Sequence, residues 1–147
     1  MSDIISELNK ILLNYSKGNK HSAYSKLKKF SYKHPYNEKI KFNLAVMEQD
    51  QGLINLAKKN YKRLIDQYDN FNSKINLYVL FLKEKDYFNA ISIIDLILKT
   101  NPDINDVLLD KAYILLKLKE FNSCFEICNS VLTKEINNTK AINLIGQ

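Results

Sequence analysis

The sequence predicts an all-α fold, a superhelical stack of helix–turn–helix repeats of the α-solenoid kind. Three observations predict it. A pattern of one small and two larger apolar residues recurs at a spacing of 33 or 34 residues. Three glycines and two prolines in 147 residues suit long helices joined by short turns, and argue against a sandwich or barrel. Hydrophobic residues make up 46% of the chain, which excludes disorder by composition and supplies a core without disulfides or metals.

In chain order, the first stripe is Ala23, Leu27 and Phe30, within a segment that opens at Gly18 and closes at Pro35. The second is Ala57, Tyr61 and Leu64, preceded by Gly52; the third is Ala90, Ile94 and Ile97, closed by Pro102; the fourth is Cys124, Cys128 and Val131. Residues at i, i+4 and i+7 lie along one side of a helix, so the small member lets a second helix approach and the larger two fill the space beside it. That second helix lies upstream each time. It carries Leu44 and Ala45, then Leu77, Tyr78 and Phe81, then Leu108, Ala112 and Leu115, and in a last partial copy Ile142, Ile145 and Gly146. The spacing predicts units over 3–35, 38–69, 71–102 and 105–136 in a single repeat domain spanning 1–147, with a partial capping helix over 138–147. Asp86 is placed to cap one second helix, and Asp103 or Asn105 to cap the first helix of the fourth unit. Pro35 and Pro102 end the helices before them. A single hairpin cannot cover its apolar face, so neighbours must stack.

This pattern resembles the tetratricopeptide repeat over nearly the whole chain. Leu44-Ala45, Gly52, Ala57 and Tyr61 match that family's positions, as do Leu77, Phe81, Tyr87, Ala90 and Pro102. Lys41 and Lys74 stand where the family has a large aromatic residue, and Lys111 replaces a leucine. The resemblance implies a right-handed superhelix whose first helices line a concave groove. The implied groove residues are Phe42, Asn43 and Val46, then Ile75, Asn76 and Val79, then Asp106, Leu109, Asp110 and Tyr113. It implies a non-catalytic protein–protein interaction module that binds a peptide or hydrophobic segment of a partner. Relatives of this type that hold acidic chaperone tails use a clamp of Lys, Asn, Lys and Arg. Asn43 or Asn76 suits its asparagine, but Asn72, Asn76, Asp106 and Asp110 fall where its later cations belong, and a carboxylate repels a carboxylate.

No enzyme constellation stands out. The glycines are isolated, His21 and His34 lack metal-binding spacing, and Cys124 and Cys128 lack the further ligands that zinc needs. Both cysteines occupy stripe positions and read as small buried hydrophobes. The aromatic residues Tyr61, Tyr78, Phe81, Tyr87 and Phe121 read as packing. No cofactor or metal is expected. The net charge is +6, and residues 1–40 hold eight lysines against three acids. Lys26, Lys28, Lys29 and Lys33 form a basic patch that would suit RNA, but helix geometry spreads them around the axis, so nucleic acid is not the expected partner. The N-terminus has no basic-then-apolar signal pattern and no stretch is long enough to span a bilayer, so a cytoplasmic address is expected. The unfinished last repeat suggests a rival reading, the N-terminal repeat region of a larger enzyme such as a transferase. Oligomeric state and partner identity are left open by these residues.

Overall fold

The computed structural model describes residues 2–147, and the described residues form nine α-helices and no strand. They are α1 (Ser2–Ser16), α2 (Lys20–Lys33), α3 (Glu38–Asp50), α4 (Ile54–Tyr68), α5 (Phe71–Lys83), α6 (Tyr87–Thr100), α7 (Asn105–Lys117), α8 (Phe121–Lys134) and α9 (Thr139–Ile145). Contacts gather the chain into two compact units, and the boundary falls between Ser73 and Lys74, inside α5. None of the described helices is long and apolar enough to cross a membrane.

The turn inside each hairpin repeats as faithfully as the stripe. Gly18, Gly52, Lys85 and Lys119 all take positive φ, at 98°, 79°, 59° and 64°. In each turn the next residue's N–H reaches back to the preceding helix: Asn19 to Asn14, Leu53 to Glu48, Asp86 to Phe81 and Glu120 to Leu115, with N···O distances of 2.8–3.2 Å. This bonding satisfies carbonyls that a helix end otherwise leaves bare. Glycine adopts the left-handed conformation at little cost, whereas a side chain there costs roughly 1–2 kcal/mol. Lys119→Gly is therefore expected to raise stability by up to about 1 kcal/mol, after the extra chain entropy of glycine is set against the relieved strain. A urea midpoint that falls instead would mean that Lys119 makes a contact worth more than the strain.

First-helix starts repeat too. Asn37 and Asn138 accept from Ile40 N–H and Ala141 N–H at 3.0 Å, and Asn70 accepts from Ser73 N–H at 2.7 Å. The fourth unit breaks the series. Its N-cap is Ile104, with no side-chain cap, which corrects the expectation for Asp103 and Asn105. Those two residues bind the end of α8 instead: Lys134 Nζ lies 2.6 Å from Asp103, and the Asn105 amide donates to Glu135 at 2.7 Å. Asp86 caps α6 as expected, accepting from Asn89 N–H at 3.2 Å. The helices preceding Pro35 and Pro102 end at Lys33 and Thr100.

In the first unit, Leu8, Ile11, Ala23, Leu27, Ile40 and Met47 form one buried cluster that joins α1, α2 and α3. Ala23 and Ala57 are fully buried, as close approach of the paired helices demands. On α4, Ala57, Tyr61 and Leu64 are buried, and the Tyr61 hydroxyl donates to Gln49 Oε1 at 2.8 Å. In the second unit, Ala90, Ile94 and Ile97 are the buried residues of α6. Cys124, Cys128 and Val131 of α8 pack with Leu109 and Ala112 of α7 and Ala141 and Leu144 of α9. Lys111 pairs with Asp95 of α6 at 2.7 Å, while Lys74 is buried. Phe121, expected to pack, is 60% exposed: it is the first residue of α8, beyond the last turn of α7.

Candidate functional site

In the second unit, α5 and α7 both present their first-helix faces, and a hydrogen-bonded strut ties them. The buried Tyr78 hydroxyl on α5 donates to Asp110 Oδ2 on α7 at 2.9 Å. Lys140 of α9 reaches the other oxygen, Asp110 Oδ1, at 2.5 Å. Asp110 is thus held from both sides, and its charge is balanced rather than presented bare to a ligand. Burial, followed by the neighbouring Asp110 charge, pushes the Tyr78 phenol well above its ordinary range, so it stays a donor at any physiological pH.

Around this strut, Ile75, Asn76 and Val79 of α5 are half-buried, as is Tyr113 of α7, while Asp106 is exposed. Tyr113 is itself positioned: Lys117 Nζ lies 5.2 Å from its ring centroid. Asp106, Asp110, Tyr113 and Lys117 follow one another at i, i+4, i+7 and i+11, a single stripe on α7. Apolar side chains with open edges thus stand beside a few oriented polar groups.

Leu109 does not belong to that face. It is fully buried against Cys124, Cys128 and Leu144, which corrects its place among the groove residues. One residue at helical pitch turns by about 100°, so Leu109 points into the cluster with α8 and α9 while Asp110 turns off it; Tyr113, one turn on and only about 40° round, packs against the edge of that cluster with part of its surface open. Tyr78 and Lys140 are the functional neighbours that sequence reasoning missed. By spacing Tyr78 is a packing residue, and its hydroxyl's target lies 32 residues on, in reach only when α5 and α7 stand side by side.

In the first unit, Phe42, Asn43 and Val46 lie on α3. Val46 is 37% exposed. Phe42 is half-buried, its ring centroid 6.1 Å from that of Tyr61, and the Asn43 amide donates to Lys39 O of its own helix at 2.8 Å. The basic residues Lys26, Lys28, Lys29 and Lys33 are all exposed on α2; Lys26, Lys29 and Lys33 fall at i, i+3 and i+7 on one stripe, which corrects their expected spread around the axis, while Lys28 turns off it to line a cleft toward α3 and α4. Cys124 and Cys128 are free thiols inside the core, and burial pushes Cys128 up to about 11, so it is unreactive at neutral pH. Among the described residues no three His, Cys, Asp or Glu side chains converge as a metal site.

No family model matches the sequence, and no curated protein matches it. Solved structures do. A tetratricopeptide repeat protein from Parabacteroides merdae superposes on 96% of this chain with a TM-score of 0.85 at 19% identity. The chain spans only 57% of that protein's length. The MamA protein superposes on 99% of this chain and 78% of its own, with a TM-score of 0.79 at 17% identity. MamA from Desulfovibrio magneticus covers 98% of this chain and 76% of its own, with a TM-score of 0.75 at 13% identity. At such identities the likeness establishes the fold: this chain is built from helical-hairpin repeats of the tetratricopeptide type.

Proposed function

We propose that this protein is a non-catalytic interaction module that holds a peptide or hydrophobic segment of a partner protein on its first-helix faces. The observation that carries the reading is the α5–α7 face, where Ile75, Val79 and Tyr113 keep part of their apolar surface open while the strut of Tyr78, Asp110 and Lys140 fixes the helices beneath them. An apolar surface on rigid helices suits a bound segment anchored by a few large side chains. Phe42, Asn43 and Val46 occupy the matching positions of α3 in the first unit and present a similar mixture. The fold shared with tetratricopeptide repeat proteins supports the same reading.

The test selects peptides from a random displayed library against the full chain, then measures their affinity by fluorescence anisotropy. Val79→Asp combined with Tyr113→Asp places two charges on the face, and is expected to weaken selected peptides at least about 100-fold, or roughly 2.7 kcal/mol. Circular dichroism must show the helices retained. Peptides that bind the folded double variant as tightly as the wild type would remove the face from the function.

A further inference from the structure

The first unit carries a cleft that the repeat pattern does not announce. Its walls come from α2, α3 and α4, and its volume is about 390 Å³, the size of a small organic ligand. Short turns join these helices, so they run alternately in opposite directions. That places Lys28, Glu48 and Asn60 toward one end of the cleft, with Lys41 and Arg63 further toward the other.

The first end is already satisfied. Glu48 is 2% exposed, and its oxygens accept from Asn60 at 2.6 Å and from Tyr24 at 3.4 Å. Lys28 supplies a favourable charge nearby, while burial pulls the other way and lifts the Glu48 carboxyl above its ordinary range. The second end is not satisfied. Lys41 and Arg63 form no ion pair among the described residues, yet both line the cleft with Leu44 and Leu64. Lys41 lies seven residues from Glu48, about 10 Å along the helix, and the two form no ion pair. Two unmatched cations therefore face apolar walls in a concavity.

We propose that this cleft is a binding site for a small organic anion, with its phosphate or carboxylate held by Lys41 and Arg63 and its apolar body against Leu44 and Leu64. A guanidinium beside an ammonium is a strong donor set for either anion. The site is independent of the protein-binding face. On α3, Lys41, Leu44 and Glu48 point roughly 170° away from Phe42, Asn43 and Val46 at 100° per residue.

The test is a titration of the nitrogen-15-labelled full chain with phenyl phosphate, benzoate and benzyl alcohol at constant ionic strength, followed by amide shifts. Saturable shifts at Leu44, Asn60 and Arg63 are expected with at least one anion, and benzyl alcohol should bind at least about tenfold more weakly. Tighter phenyl phosphate assigns a dianion as the natural group, and tighter benzoate a carboxylate. The K41Q/R63Q variant should lose at least about tenfold in affinity for the better anion. K26Q/K29Q removes equal charge from α2 outside the cleft and should leave binding unchanged. Silence with both anions, benzyl alcohol binding as well as either, or equal losses in the two variants would overturn the site.

Discussion

Tyr61→Ala is expected to destabilise the protein by about 3–5 kcal/mol, the cost of emptying a fully buried aromatic position. Tyr61 fills the space that Ala57 opens on α4, it faces the ring of Phe42 on α3, and its hydroxyl holds Gln49. Removing the ring takes all three away at once and leaves a cavity between paired helices that are already in close contact. Tyr61→Phe keeps the ring and gives up only the hydrogen bond, so it should cost about 1 kcal/mol. In a chain of this length the alanine variant corresponds to a drop of roughly 10–15 °C in midpoint temperature. Urea unfolding followed by circular dichroism checks the pair. If the phenylalanine variant lost as much as the alanine variant, the hydroxyl rather than the ring would be the anchor of the hairpin.

A second large effect separates two neighbours on α7. Leu109→Asp is expected to unfold most of the second unit, because it both removes a fully buried leucine and leaves an unpaired carboxylate among Cys124, Cys128 and Leu144. Leu109→Ala alone should cost about 2–5 kcal/mol, and the buried charge adds several more. Tyr113→Asp, four residues on at a half-open position, should cost only about 1 kcal/mol and leave the helical signal intact. Amide hydrogen exchange locates the damage: protection lost across α7, α8 and α9 in the leucine variant alone is the expected pattern. Comparable protection in both aspartate variants would mean that Leu109 faces solvent after all and belongs to the binding face.

Both predictions turn on the difference between a position in a repeat and a position in a packed unit. The stripe of small and large residues at a spacing of 33 or 34 dictates the hairpins, because only one helical side repeats at i, i+4 and i+7 and only a paired helix can cover it. The order of helices, the burial of Cys124 and Cys128, the Asp86 cap and the helix ends before Pro35 and Pro102 all follow from local spacing and backbone chemistry. Side-chain destinations beyond one hairpin do not. The hydroxyl of Tyr78 meets Asp110, and Lys140 meets the same carboxylate, across intervals of 32 and 30 residues that carry no local signal. Leu109 and Asp110 look equally eligible for a face until α8 and α9 cover one of them. Lys41 stands in the sequence as a misfit in an aromatic position; packing of α2 and α4 on either side of α3 turns it into one wall of a cationic cleft with Arg63. Periodicity specifies which residues must be covered, and the rotation of each helix against its neighbours settles which polar groups meet and which surfaces stay open to a ligand.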